Sequence, residues 1–300
     1  MEFKTAKAVI DKMRKFQLKI QFAGGEPMMN FSLAEEIIAY TKAEKIDAVF
    51  QMQTNGTLID GYTAKRIKEL GIAVGVSLDG TPDINEITRG KTDSVLNGIR
   101  CLGAEGIIIG LNAVVTSVNV SSLDKLIELA FYFGNVGGIG LDLLRCAGRG
   151  SENYSELIPD GKMLKSGLNK MLECRNRIFS LSGRKIEIRE FEKAERRFLR
   201  NEPVTNYCYA SCGRSLVVLP DGEIYQCGSL LKPEYLVADS NTLECRETDS
   251  LVTEISENCH LCRYERICPK GCPSRKIRNR DNLECIMLKT AFEIAERNMK

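Results

Sequence analysis

The chain has no tryptophan, a single histidine, His260, and no cysteine before Cys101. With one imidazole, metal sites built on several histidines and catalysis centred on paired histidines are excluded. Neither sign of charge dominates: 42 basic residues stand against 40 acidic ones, a net of +2. That balance gives no electrostatic footprint for nucleic acid and no basic block for a membrane surface. The longest apolar region, GIIIGLNAVV, is well short of the roughly 20 residues a bilayer requires. The opening stretch, MEFKTAKAVIDK, lacks the apolar centre of a secretory signal. A cytoplasmic protein that binds neither nucleic acid nor membrane is expected.

Cysteine is plentiful but unevenly placed. Of 12 cysteines, the last third holds Cys208, Cys212, Cys227, Cys245, Cys259, Cys262, Cys268, Cys272 and Cys285. In a chain without an export signal, such clustering favours metal over disulfides.

The first half alternates between two periods. Strand-like runs occur at LKIQFA, AVFQMQT, IAVGVSL, IIIGLNAVV and GIGLDLLR. Amphipathic helical patterns lie between them, near Lys4–Phe16, Leu33–Glu44, Tyr62–Leu70, Ser94–Glu105 and Ser122–Phe133. Each is bounded by Gly, Asn, Asp or Ser, the residues of caps and turns. Alternation of this kind predicts a parallel α/β sheet or barrel with helices outside, and ligands at the carboxyl ends of its strands. GGEP follows the first run, TNGT the second, SLDG the third and RCAGRG the fifth, so four polar turn segments are expected on one rim. Taken alone each is an ordinary turn, and Asp79 of SLDG suits the cap of the next helix. Beyond Gly150 helical stretches at Pro159–Ser180 and Glu190–Leu199 form a connector. From Cys208 onward loops, a hairpin at SLVVLPDGEIYQC and cysteines dominate, which predicts a second domain held by metal.

The cysteine spacing is specific. Cys208 precedes Cys212, and Cys212 is separated by nine residues from Gly222, which four more separate from Cys227. CHLCRYERICPKGC then carries Cys259, Cys262, Cys268 and Cys272 with gaps of two, five and three residues, and Cys285 follows. Eight thiolates are what two 4Fe–4S clusters require. A Cys-x2-Cys step serves structural zinc equally well, with His260 as a possible substitute ligand. Cys101, Cys146, Cys174 and Cys245 are isolated and suit ordinary thiols.

The strand-end segments in this order, followed by this cysteine array, resemble the radical S-adenosylmethionine (SAM) enzymes that carry a SPASM domain, among them peptide maturases and anaerobic sulfatase-maturing enzymes. The resemblance implies an α/β fold: an incomplete (β/α)6 partial barrel over residues 1–150, a helical connector over 151–205 and an iron–sulfur domain over 206–300. It implies that Gly24, Gly25 and Glu26 meet the amino group of SAM. Ser77 and Arg89 would meet its carboxylate, and Asn112 and the backbone near Leu144 its ribose or adenine. It further implies two auxiliary 4Fe–4S clusters, one on Cys208, Cys212, Cys227 and Cys272, the other on Cys259, Cys262, Cys268 and Cys285. A peptide or protein substrate follows, with an electron donor of flavodoxin or ferredoxin type and a separate leader-peptide-binding protein as possible partners.

Two positions depart from the family pattern. Family members carry a Cys-x3-Cys-x2-Cys loop before the helix that leads to GGEP, and its three cysteines hold the cluster at which SAM is cleaved to a 5′-deoxyadenosyl radical. This chain starts inside that helix and does not ligate that third cluster. An incomplete N-terminus, a second polypeptide supplying the loop, and loss of radical chemistry are the three explanations. The sulfatase-maturing branch has an acidic residue directly after the cysteine corresponding to Cys227, where Gly228 stands here. The expected reaction is therefore side-chain modification of a ribosomal peptide, such as thioether or other crosslinking. The alternatives are sulfatase maturation and a non-catalytic binding module stabilised by iron–sulfur or zinc.

Overall fold

A computed structural model describes residues 1–204, 206–240, 257–279 and 281–298. Cys245 lies outside the described residues. The expected alternation is present: α1 (Phe3–Met13), β1 (Leu18–Phe22), α2 (Phe31–Ala43), β2 (Ala48–Thr54), α3 (Gly61–Leu70), β3 (Ala73–Ser77), α4 (Pro82–Thr88), α5 (Thr92–Ala104), β4 (Ile109–Val115), α6 (Leu123–Phe133) and β5 (Val136–Leu143). Then come α7 (Tyr154–Leu157), α8 (Gly161–Ser182), β6 (Glu187–Ile188) and α9 (Arg189–Arg200). The last third adds β7 (Val217–Val218), β8 (Glu223–Tyr225), β9 (Leu236–Asp239), α10 (Glu257–His260), α11 (Pro273–Arg278) and α12 (Leu283–Asn298).

The first six strands form one sheet in chain order, parallel from β2 to β6. Chain-ordered parallel strands joined by helices are the arrangement of a partial barrel. The sixth strand is a finding beyond the sequence pattern, which showed only helices in that stretch. Two residues between a helix end and a helix start carry no readable alternation, although Ile188 is fully buried.

Two compact units make up the chain. One comprises Met1–Ile20, Asn30–Val49 and Glu202–Asp281, the other Gln21–Met29, Phe50–Asn201 and Asn282–Lys300. In the larger, Val74 and Val76 of β3, Ile109, Leu111, Ala113 and Val115 of β4, and Ile139, Leu141 and Leu143 of β5 are buried. They alternate with Gly75, Ser77, Gly110, Asn112, Gly138 and Gly140, so one sheet face is apolar and the other polar and glycine-rich. Helices supply the rest of the core: Val95, Ile99 and Leu102 of α5, Leu123, Leu126 and Ile127 of α6, and Leu164, Leu168 and Met171 of α8. Each side chain of this kind contributes about 1.5–3 kcal/mol on burial. Helix α3 shows how local sequence fixes a boundary. The Asp60 carboxylate accepts from Thr63 N–H at 2.8 Å while Thr63 Oγ1 accepts from Asp60 N–H at 2.9 Å, a reciprocal cap. Gly71, at φ 74°, ends the helix in the left-handed region.

In the smaller unit the predicted hairpin is present, Val217 pairing with Tyr225 and Val218 with Ile224, and β9 extends it antiparallel to three strands. Val9 of α1 packs with Ile224, Val237 and Ala238 in one apolar cluster. Phe3 meets Tyr40 edge-on at 5.6 Å, and Asp11 accepts from both Lys7 Nζ and Tyr40 Oη, joining α1 to α2. Among the described residues no helix is long and apolar enough to cross a membrane.

Candidate functional site

Parallel strands place all their carboxyl ends on one rim, and the polar turns lie there. Gly24 sits at φ 123°, a conformation only glycine adopts readily, and a Cβ on Gly24 or Gly25 would meet nothing within 4 Å. This exposed turn therefore offers backbone to an incoming group. Glu26 is tied down rather than free. Its Oε1 accepts from Thr54 Oγ1 at 2.5 Å and from Met28 N–H at 3.2 Å, and its Oε2 from Asn55 N–H at 2.7 Å. The acid thus fastens the GGEP turn to the end of β2, joining two of the segments singled out in the sequence.

At the end of β3, Asp79 does not cap the next helix, whose N-cap is Thr81. Its carboxylate takes a bidentate pair from Arg89, Nε to Oδ2 at 2.7 Å and Nη2 to Oδ1 at 2.9 Å, and Oδ1 also accepts from Val114 N–H at 2.8 Å. The Asp79 side chain is 5% exposed and that of Arg89 28%, so two guanidinium nitrogens of the predicted anion-binding arginine are engaged within the protein. Asn119, buried, donates to the Asp79 and Val114 carbonyls at 2.8 Å each and binds the β3 and β4 ends together. Leu144 N–H donates to the Val115 carbonyl at 3.2 Å.

A chain of polar side chains crosses the glycine-rich face. Arg189 Nη1 donates to Asn112 Oδ1 at 3.1 Å, Asn112 Nδ2 to Gln53 Oε1 at 2.5 Å, and Gln53 Nε2 to Ser77 Oγ at 3.1 Å. Two glycines make room for it. A Cβ on Gly75 would stand 2.5 Å from Gln53 Oε1 and 2.9 Å from Asn112 Nδ2; one on Gly140 would stand 2.6 Å from Arg189 Cζ and 2.8 Å from Asn112 Oδ1. Arg189 is held by Glu190 Oε1 at 2.7 Å and by the Leu141 carbonyl at 3.1 Å. Burial pushes the Glu190 carboxyl above the usual range against the pull of Arg189 and the Leu141 N–H. Burial, then the Arg189 charge, holds Lys193 below the usual ammonium range. Ser77 and Asn112 were expected here from the sequence. Gln53, Asp79, Asn119 and Arg189 were not, because residues that meet across a sheet bear no mark of it in local pattern.

The cysteine ligand candidates divide between the units. Cys208, Cys212, Cys227, Cys259, Cys262, Cys268 and Cys272 fall in the smaller, and Cys285, exposed on α12, in the larger. None of the eight is paired in a disulfide among the described residues. Among the described residues no three His, Cys, Asp or Glu side chains stand close enough together to hold a metal ion. The donor chemistry nevertheless suits iron–sulfur ligation. Cys227 Sγ accepts from Ser229 N–H at 3.5 Å, and Cys272 Sγ lies 3.1 Å from Ser274 Oγ, contacts of the kind that support a cluster thiolate. His260, the alternative zinc ligand, places Nδ1 3.0 Å from Glu265 Oε1. Burial pushes the Cys174 thiol up, as expected of an inert core thiol. The first cysteine of the sequence, Cys101, lies within α5.

An open parallel sheet with one apolar face, one polar glycine-rich face and its turns gathered at the strand ends defines an α/β protein of the partial-barrel class. The sequence profile of the Radical SAM superfamily matches residues 1–130, and the chain belongs to that superfamily. It is 36% identical over 241 residues to an uncharacterized protein of Methanocaldococcus jannaschii, covering 77% of this chain and 76% of that one. It is 27% identical to the cysteine-type anaerobic sulfatase-maturating enzyme of Clostridium novyi, covering 91% of this chain and 79% of that one. A solved structure described as native anSMEcpe with bound AdoMet and Kp18Cys peptide shares the fold, with a TM-score of 0.83 at 20% identity over 100% of this chain and 90% of that one.

Proposed function

We propose that this chain binds SAM on the polar face of its sheet and 4Fe–4S clusters through its cysteines, in the service of a reaction that modifies a side chain of a peptide or protein. The observation that carries the reading is the row Gln53, Ser77 and Asn112, built over glycines on the open face of a radical SAM sheet. Backbone carbonyls of the exposed Gly24–Gly25 turn receive the ammonium of the ligand, and Glu26 holds that turn against Thr54 and Asn55. Ser77 and Arg89 would meet its carboxylate, with Asp79 steadying the guanidinium. Asn112 would lie beside the sugar. SAM held here would supply radical chemistry, removal of a hydrogen atom from the substrate, given one electron from a reduced 4Fe–4S cluster of the kind the Cys-x3-Cys-x2-Cys loop holds. Cys208, Cys212, Cys227 and Cys272 would hold one auxiliary cluster, and Cys259, Cys262, Cys268 and Cys285 the other, for electron transfer or substrate binding.

The peptide substrate draws on the sulfatase-maturating relative and on the structural neighbour with its bound peptide. Those two favour sulfatase-type maturation as the second reading, whereas Gly228 after Cys227 favours crosslinking of a ribosomal peptide. A flavodoxin- or ferredoxin-type donor and a separate leader-peptide-binding protein fit either. The test is anaerobic reconstitution of the 300-residue chain with iron, sulfide and zinc analysis and SAM binding by equilibrium dialysis. About eight irons per chain with saturable SAM binding is expected. Zinc without iron, or no SAM binding, overturns the proposal in favour of a metal-stabilised binding module.

A further inference from the structure

We infer that Arg189 and Gln53 are positioning residues that set the direction of hydrogen bonding across the sheet, making the Ser77 hydroxyl an obligatory donor toward the bound ligand. The inference rests on the reading of this face as the SAM site. Its logic is one of donor and acceptor inventories. A guanidinium has five N–H donors and no acceptor, so the atom Asn112 presents to Arg189 Nη1 must be its carbonyl oxygen. The Asn112 amide nitrogen then faces Gln53, which must answer with its own carbonyl, at 2.5 Å. That turns the Gln53 amide nitrogen to Ser77, whose Oγ accepts at 3.1 Å. An oxygen that accepts from Gln53 keeps its own proton for another partner, and among the described residues none takes the Ser77 hydroxyl proton. No amide along the path can reverse without setting donor against donor.

Two further features agree with this assignment. Gly140 lies beneath the Arg189–Asn112 link and Gly75 beneath the Asn112–Gln53 link, and at either position a methyl group would displace the linking atoms. Arg189 itself is fixed by Glu190, by the Leu141 carbonyl and by Asp142 at 3.4 Å, so the start of the chain of bonds is held in place. The expected consequence is a preference for ligands that bring an acceptor, such as a carboxylate, to Ser77.

The test compares SAM with 5′-methylthioadenosine, which lacks the amino-acid portion and its carboxylate. Dissociation constants are measured for the full chain and for Ser77→Ala, Gln53→Glu, the double variant, Arg189→Met and Arg189→Lys. A Gln53→Glu side chain still accepts from Asn112 but cannot donate to Ser77, so it captures the hydroxyl proton. Ser77→Ala and Gln53→Glu are each expected to weaken SAM binding roughly 10- to 100-fold, the loss of one hydrogen bond to a charged group. Their double variant should be no weaker than the worse single one, because both remove the same donor. Arg189→Met should weaken SAM similarly and Arg189→Lys should recover part of it, while methylthioadenosine binding stays within about twofold throughout. Additive losses in the double variant would mean that the new carboxylate simply repels the ligand, and would overturn the inference. Equal losses for SAM and methylthioadenosine would reduce these residues to structural support and overturn it too. Failure of the unaltered chain to bind SAM would instead overturn the functional reading beneath it.

Discussion

Replacing Asp79 with alanine removes three hydrogen bonds at once, two from Arg89 and one from Val114 N–H. The carboxylate is 5% exposed, so its loss leaves a backbone donor without an acceptor and a guanidinium without a counter-charge. An orphaned buried donor costs about 1–3 kcal/mol and a charge-assisted bond about 1.5–3 kcal/mol. The Arg89 side chain is 28% exposed and recovers some water, which discounts its share. We expect Asp79→Ala to destabilise the larger unit by about 3 kcal/mol and Arg89→Met, which strands the carboxylate, by about 2–3 kcal/mol. Their coupling in a double-mutant cycle should be near 2 kcal/mol. Lacking tryptophan, the protein is best followed by far-UV circular dichroism in urea, where 3 kcal/mol corresponds to a midpoint shift of about 1–1.5 M. A coupling below about 0.5 kcal/mol would refute the pair as a structural clasp. So would an Arg89→Met variant of unchanged midpoint that loses SAM affinity, since Arg89 would then serve the ligand alone.

Two other perturbations probe the scaffold. Asp60→Ala should cost about 0.5–1 kcal/mol by opening the reciprocal cap of α3. The Thr63 N–H and hydroxyl hold the Asp60 carboxyl below its usual range. Its contribution is therefore fully present above pH ~4 and is lost as pH falls through the depressed folded value, so the gap between variant and parent urea midpoints should close in acid. Gly167→Ala would stabilise an exposed helix by up to about 1 kcal/mol, but here the methyl group lands on the Val120 carbonyl oxygen, with the carbonyl carbon 3.2 Å away. Backbone cannot yield as a side chain does, so a net loss of about 1–3 kcal/mol is expected. A stabilised variant in thermal unfolding would contradict the close approach of α8 to this turn.

Much of the architecture was legible because it is written in periods. Alternating Val74, Val76 and Leu111, Ala113, Val115 mark strands with one buried face, and the predicted helices match α1 to α3, α5, α6, α8 and α9 to within about three residues. β6 was not legible, being too short for a period, and α12 was passed over in a stretch read mainly for its cysteines. The strand-end turns stood out as Gly, Asn and Asp clusters, yet their mutual contacts did not. Nothing local to Glu26 says that Thr54 and Asn55 will satisfy it, and nothing near Arg189 says that it governs Asn112. Such pairings are set by strand register, which aligns Ser77 with Asn112 and Asn112 with Gly140.

The cluster of Val9 with Ile224, Val237 and Ala238 has a consequence for synthesis. A ribosome adding about 5–20 residues per second needs roughly ten to forty seconds to travel from the first of these residues to the others. For most of that interval Val9 is outside the exit tunnel without its partners from the last third. The larger unit likewise waits for α12, whose partners α8 and α9 are made earlier. Long-range closure of this sort slows folding and prolongs exposure to aggregation. The nascent chain should therefore depend on a holding chaperone, and a stop codon placed anywhere before the last cysteines should yield insoluble product rather than a foldable half.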